Sequence, residues 1–388
     1  MPTPNPRLLV TEDAPAYGVL AGLRALRSAG DDPWLAVTGR GAYSRRSRAR
    51  AGVVEVPDPA SDRDGYVAAL AHAAARLEVA AVLPGTEMGL VALSTARDVF
   101  PPGVALGTAD ADTVRRATDK LELERLAVDA GLATPPTSHI TRAEVESGTA
   151  IALPAIVKAA RTRTPTKENG FVSSFVRRAT TREELLDAVR AVPGDIVLIQ
   201  PALEGYLTAT SGVAWRGEVV AMAHQVARRI FPPQCGITAF AETVTPDPAL
   251  EAGVSRLIGA LGWSGIFQVQ FVSSGGVSYL IDLNPRMYGS LALAVAAGLN
   301  LPAIWADLLL GRPPRAGICK VGARFRSEER DLAALGAAMI AADWRTVLDV
   351  LRPRRGTTHA LGALRDPMPL LMGGRLDRIR RAQARGIR

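Results

Sequence analysis

The side chains best suited to chemistry are concentrated in residues 263–286, WSGIFQVQFVSSGGVSYLIDLNPR. From 266 to 272, Phe267, Val269 and Phe271 alternate with Gln268 and Gln270, the period-two pattern of a strand with one buried face. From 277 to 284, Tyr279, Ile281 and Leu283 share a face opposite Leu280, Asp282 and Asn284. Residues 273–276 have turn composition, so the two runs are expected to pair as a hairpin. A loop with an odd number of residues places Gln270, Asp282 and Asn284 on one side. Three oxygen-bearing side chains on a rigid sheet suit Mg²⁺, which takes oxygen ligands and keeps waters or phosphates in its remaining positions. Arg286 follows on the same edge, and a guanidinium beside Mg²⁺ suits a phosphate or carboxylate. Asn-Pro is also ordinary turn chemistry, so DLNP taken alone reads equally as a strand running into a turn.

Composition narrows the setting for that hairpin. The chain has 388 residues, 48% of them hydrophobic and 22% charged, which fits a globular protein of two to three domains. The apolar stretch 291–311 is broken by Asn300, Pro302 and Asp307, so no membrane span is expected. MPTPNPRLLV lacks a basic end followed by an apolar run, and two cysteines make no disulfide framework. Both features point to a reducing, cytoplasmic compartment. Only four of the 46 basic residues are lysine, and residues 349–388 hold ten arginines against three aspartates, +7 of the overall +8. No aromatic residues interleave those arginines, so the tail reads as solvated or internally packed surface and nucleic acid is not expected as a partner.

The first hundred residues alternate strand and helix. Strands are expected at 7–10, 34–37 and 79–83, with helices at 17–28, 66–77 and 88–96, a pattern for a parallel sheet with covered faces. No GxGxxG follows the first strand, so the dinucleotide fingerprint is missing. From residue 118 the texture changes. Leu123, Leu126, Ala127 and Ala130 make a one-faced helix closed by Gly131. An apolar strand at 153–159 contains Lys158, and Thr181 with Glu184 has capping-box spacing. Further strands are expected at 196–199, 207–214 and 218–226, with a helical stripe from Leu250 to Leu261. Beyond Pro313 the chain reads as helical and irregular.

With these motifs in order, residues 118–312 resemble the ATP-grasp superfamily. Its fingerprint is a Glu on one strand and, about a dozen residues on, an acidic residue followed by x-Asn-Pro-Arg; here Gln270 stands at the first position, Asp282 at the second, and Asn284 and Arg286 follow. An Asp-Lys pair opening a helix matches Asp119-Lys120, and a PxxxK strand matches Pro154 to Lys158. VLIQPALEG matches the hinge and HQVARR an arginine-bearing strand. The resemblance implies an α/β ATP-grasp fold: a Rossmann-like preATP-grasp domain at 1–112, an ATP-grasp domain at 113–313 with a lid at about 150–203, and a mostly helical basic extension at 314–388. It implies ATP and Mg²⁺ as cofactors. Lys120 and Lys158 are expected on the phosphates, and Gln200 with the backbone of Ala202 and Leu203 on adenine. Arg229 is expected on the phosphates or acyl phosphate, with Arg228 as its competitor. Gln270, Asp282 and Asn284 are the implied metal ligands, and Arg286 the group that holds the acceptor.

Two features depart from the pattern. Gln270 replaces the usual Glu, removing one negative charge from the metal site. The phosphate-covering loop, ARTRTPTKENGFVSS, has one glycine, with Thr162, Thr164, Lys167, Ser173 and Ser174 as its donors. The run NPRMYGSLALAVAAGLNLP resembles that of small carboxylate–amine ligases and their carbamoyl-phosphate-synthetase-like relatives. The implied activity is ATP- and Mg²⁺-dependent activation of a small carboxylate, an amino acid among the candidates, as an acyl phosphate and its joining to an amine. Carboxyphosphate chemistry on bicarbonate and a non-catalytic ATP-binding regulatory role are the alternatives. The implied partners are small-molecule carboxylate and amine substrates, without a membrane, and relatives are often homodimers. Tyr288 is expected to shape the acceptor pocket, and Glu87 to cap a helix or bind a substrate amine. Cys235 is expected beside the acceptor site, and His224 as a strand residue near phosphate.

Overall fold

A computed structural model describes residues 5–371 apart from 40, 160–162, 166–170, 174–175, 193–194 and 234, with backbone alone at 163–165 and 171–173. The side chains of Thr162, Thr164, Lys167, Ser173 and Ser174, and the tail beyond 371, lie outside the described residues.

The N-terminal unit runs β1 (Arg7–Glu12), α1 (Tyr17–Ser28), β2 (Asp32–Val37), β3 (Val53–Glu55), α2 (Arg63–Leu77), β4 (Ala81–Pro84), α3 (Glu87–Ser94) and β5 (Ala105–Leu106). Its strands form a parallel sheet in the order β3-β2-β1-β4-β5. Leu8, Leu9 and Val10 are all fully buried, as a strand covered on both faces requires. Next come α4 (Ala111–Thr118) and α5 (Lys120–Asp129), then a lid built of β6 (Ser138–Thr141), α6 (Arg142–Glu146), β7 (Ala155–Ala159), β8 (Arg163–Pro165), β9 (Phe171–Ser173), β10 (Arg177–Ala179), α7 (Arg182–Ala191) and β11 (Ile196–Pro201). The lid sheet has the order β10-β7-β11-β6. Thr181 caps α7 by accepting the Glu184 N–H, while the Glu184 carboxylate reaches back to the N–H of Thr180, one residue earlier than the expected box.

The third body holds β12 (Tyr206–Trp215), β13 (Glu218–Phe231), β14 (Ile237–Thr243), α8 (Pro248–Leu261), β15 (Gly265–Ser274) and β16 (Val277–Asn284). It continues through α9 (Leu291–Ala296), α10 (Leu301–Leu309), β17 (Arg324–Arg326), α11 (Glu328–Ile340), α12 (Trp344–Leu351) and β18 (Thr357–His359). Its seven-stranded sheet has the order β16-β15-β12-β13-β14-β17-β18. Phe267, Val269 and Phe271 pack with Leu123, Leu126, Val254 and Leu257 of α5 and α8. On the other side Val213, Ala223 and Ile266 join the core shared by α1, α9 and α10. The extension is not purely helical and irregular: β17 and β18 lengthen the large sheet because Phe325 is buried beside Ala241. Part of the basic tail is internally bound, since Asp366 accepts from Arg24, Ser47 and the Arg48 N–H. Among the described residues no helix is long and apolar enough to cross a membrane.

One buried carboxyl ties the start of α1 to the turn at Tyr43–Arg46. Glu12, 1% exposed, accepts the Ala16 N–H at 2.9 Å and the Ser44 N–H at 3.3 Å. Burial pushes it from 4.5 up to about 7, against the lowering effect of those hydrogen bonds. Between those two values the unfolded chain releases the proton and the folded one keeps it, so stability falls as pH rises through that window. Glu12→Gln removes this dependence. Urea melts are expected to show the variant gaining about 3 kcal/mol relative to wild type between pH 4.5 and pH 8.

Candidate functional site

The hairpin β15–β16 turns through Gly275 and Gly276, whose φ values of +56° and +82° favour glycine. Its loop is therefore even, not odd. The register shifts once: Phe271 lies opposite Leu280, but Gln270 lies opposite Asp282. Ile281 is the extra residue of this bulge, and it restores the parity that puts Gln270, Asp282 and Asn284 on one face. A bulged residue leaves its backbone outside the ladder, and the Ile281 carbonyl accepts from Lys158 Nζ at 3.3 Å.

Lys158, on β7 of the lid, is 6% exposed. Burial and the neighbouring Lys120 charge lower its pKa from 10.5 to about 8, with Asp282 and Glu124 opposing. Lys120 is the first residue of α5, directly after the Asp119 N-cap, where a cation opposes the helix dipole. Its ammonium lies 3.6 Å from Asp282 Oδ1. These lysines border a cavity of about 550 Å³, closed by the 200–207 hinge, Gln270 and Asp282. Gln200 also lines it, and its amide nitrogen donates to Thr137 Oγ1 at 2.9 Å, leaving Oε1 as an acceptor. The Ala202 N–H is taken by the Pro154 carbonyl at 2.9 Å, whereas the Leu203 N–H has no partner among the described residues.

A second cavity, about 700 Å³, also contains Gln270 and Asp282 in its wall and adds Asn284, Arg286 and the 287–290 loop. Arg286 donates to Asn284 Oδ1 at 2.9 Å, and Asn284 Nδ2 to Gln270 Oε1 at 3.3 Å. Gly18 of α1 allows the close approach of this loop, since a Cβ there would meet the Tyr288 carbonyl oxygen at 2.5 Å. Tyr288 itself is 1% exposed and lines the same cavity.

Residues 195–330 match the family model described as ATP-grasp in the biosynthetic pathway with Ter operon, a span that includes the hinge, the hairpin and Arg286. An L-amino acid ligase from Bacillus licheniformis superposes with a TM-score of 0.60 at 16% identity, over 79% of this chain and 75% of the ligase. The chain carries the ATP-grasp fold. The biotin carboxylase domain of Hydrogenobacter thermophilus 2-oxoglutarate carboxylase, solved with MgADP, ADP and bicarbonate, gives a TM-score of 0.60 at 14% identity, over 82% of this chain and 73% of that one. In sequence, the carbamoyl phosphate synthase large chain of Thermomicrobium roseum is 24% identical over 233 residues, 58% of this chain. That match takes in about a fifth (21%) of the curated relative's length.

Within this ATP-grasp fold, nine of the expected residues come together around the two cavities: Lys120, Lys158, Gln200, Ala202, Leu203, Gln270, Asp282 and the Asn284–Arg286 pair of the hairpin end. Arg229 does not join them. Its guanidinium is bound by Asp331 at 2.8 Å and by Asp349, and it lies over the Phe240 ring, so β13 directs it to the extension. Its competitor Arg228 is paired with Glu242. Neither arginine lines either cavity. His224 hydrogen-bonds Thr210 at 3.0 Å and is also outside both. Cys235, expected beside the acceptor site, is exposed and borders the hinge-lined cavity and not the one that contains Arg286. Glu87 is the first residue of α3, where its charge suits the helix N-terminus, and it lines the larger cavity. Sequence reasoning missed Tyr17, Tyr43, Glu329 and Arg330, which line that cavity from three separate elements and share no spacing motif.

The donors available for Mg²⁺ are the Asp282 carboxylate and the amide oxygens of Gln270 and Asn284. All are oxygen, as the ion requires, but they supply one negative charge beside Lys120, Lys158 and Arg286. Among the described residues no cluster of three His, Cys, Asp or Glu side chains stands ready for a metal. The set fits Mg²⁺ that arrives on a polyphosphate, with phosphate oxygens completing its shell, better than a resident ion. Lys158 makes this testable. In the free protein it loses its proton above about pH 8, and a polyanion restores it. Titration of ADP by calorimetry in two buffers is expected to show uptake of close to ~1 proton at pH 9 and near zero at pH 7, and Lys158→Met is expected to abolish the uptake.

Proposed function

We propose that this chain is an ATP- and Mg²⁺-dependent ligase that activates a small carboxylate as an acyl phosphate and joins it to an amine. One observation carries the reading: two cavities share the wall formed by Gln270 and Asp282, with the hinge and lysines on one and Arg286 on the other. A triphosphate lying in the first directs its γ-phosphoryl group to that shared wall, and a carboxylate held by Arg286 approaches from the second. Proximity and charge neutralisation are what phosphoryl transfer needs from a protein.

Asp282, Gln270 and Asn284 would hold Mg²⁺, which when bound neutralises phosphate charge and aligns the transferring group. Lys120 and Lys158 neutralise the phosphate chain from the α5 and lid sides. An acceptor carboxylate oxygen forms the new bond to the γ-phosphorus as the bond to ADP breaks. The amine nitrogen then attacks the acyl carbon, inorganic phosphate leaves, and the nitrogen releases its proton. No protein nucleophile is consumed, in keeping with a cavity around Arg286 that has no cysteine or histidine among its described lining residues. The fold relatives named as an L-amino acid ligase and a carboxylase support carboxylate activation as the common step.

Hydroxylamine intercepts an acyl phosphate. With ATP, Mg²⁺ and a panel of amino acids, small acids and bicarbonate, a hydroxamate is expected together with ADP, and Asp282→Ala is expected to lower both at least ~100-fold. ADP release that requires bicarbonate and gives no hydroxamate would move the assignment to carboxyphosphate chemistry. Nucleotide binding without turnover on any panel member would move it to a regulatory role.

A further inference from the structure

The larger cavity has a wall that the steps above do not use. Tyr17 at the start of α1 and Tyr43 of the short turn stack with ring centroids 5.1 Å apart and an interplanar angle of 18°. Both hydroxyls donate to the same oxygen, Glu329 Oε2: Tyr43 at 2.7 Å, and Tyr17 in a short contact. Burial, the neighbouring Tyr43 and the bond to Glu329 raise the Tyr17 pKa, so its hydroxyl remains a donor. Glu329 Oε1 is buried, and among the described residues no donor reaches it. The next residue, Arg330, lies over the Tyr17 ring at 5.7 Å. Among the described residues its guanidinium has no hydrogen-bond acceptor and no ion-pair partner. All four residues line the cavity that contains Arg286.

A buried carboxylate oxygen without a donor is costly and calls for an explanation, and beside it the half-buried Arg330 guanidinium carries a positive charge unpaired among the described residues. Here the two deficits are opposite in sign and adjacent in the chain. An ammonium supplies what Glu329 Oε1 lacks. A carboxylate supplies what Arg330 lacks. We propose that this wall binds the head group of an amino acid, its ammonium on Glu329 and its α-carboxylate on Arg330. Arg286, on the same cavity, then receives a second carboxylate, so the substrate class is an amino dicarboxylic acid. Its side-chain carboxylate is the group offered for activation. The part of this inference that concerns activation rests on the ligase reading; the part that concerns binding does not.

The test is binding to the full chain, measured by calorimetry with L-glutamate and L-aspartate against glutarate and succinate, which lack only the ammonium. At least one amino compound is expected to bind ten or more times tighter than its des-amino counterpart. In Glu329→Gln that preference is expected to vanish while ADP affinity stays as in wild type, which also checks that the variant is folded. Arg330→Gln is expected to weaken the amino dicarboxylates tenfold or more. Equal binding of the amino and des-amino acids by the wild-type protein would overturn the proposal without any variant. A preference that survives in Glu329→Gln would overturn it as well. A binding preference without hydroxamate formation would retain this site and remove the ligase reading. Hydroxamate formed equally from des-amino acids would do the reverse.

Discussion

Everything in the candidate site is organised around one carboxylate in an excess of positive charge. Asp282 on β16 faces Lys120 of α5, and Lys158 of the lid sits on the carbonyl that the neighbouring bulge releases. Three elements remote in sequence thus meet at one acid. The Lys120–Asp282 separation of 3.6 Å, with Asp282 about a third exposed, makes the contact a weak contributor to stability. The helices α5 and α8 against Phe267, Val269 and Phe271 do the holding, and they keep Lys120 close to Asp282 and Lys158. Lys158 registers the imbalance most directly, since burial and Lys120 together lower its affinity for a proton. A polyphosphate relieves both.

The same economy explains the C-terminal extension. Its helix α11 contributes Asp331, which binds Arg229 and Arg326, and on the same helix Glu329 and Arg330, which line the larger cavity. Arg229, expected at the phosphates, is bound instead by Asp331 and Asp349 of the extension. Docking is what brings α11 within reach of Tyr17 and Tyr43. The larger cavity therefore joins residues from both the N-terminal unit and the extension to the hairpin end. Glu12 joins them from below by fixing the start of α1 and the Tyr43 turn in one buried contact.

Much of this was legible in residue order, and the exceptions share a cause. The alternation of 266–284, the Asp-Lys pair at the start of α5 and the apolar strand around Lys158 are local patterns, and they single out Gln270, Asp282, Asn284, Lys120 and Lys158. The parity of Gln270 and Asp282 came out as expected but for a different reason: a bulge at Ile281 with an even turn, which period-two reasoning cannot see. Arg229 and Arg228 could not be placed because a 14-residue strand with two register irregularities does not reveal which way each side chain points. Tyr17, Tyr43, Glu329 and Arg330 carry no spacing signal, because tertiary docking alone makes them neighbours. Strands β17 and β18 are three residues each, too short for a period to declare itself.

The central claim is that Asp282 serves as a metal anchor inside a cationic polyphosphate site. Measuring ADP affinity of wild type and Asp282→Asn, each with and without Mg²⁺, tests it through a change of sign. Removing the Asp282 carboxylate should tighten metal-free ADP severalfold, since one repulsion is gone, and should abolish the gain that Mg²⁺ gives the wild type. Equal weakening of ADP with and without Mg²⁺ would contradict the account, because Asp282 would then be supporting the pocket and not the ion.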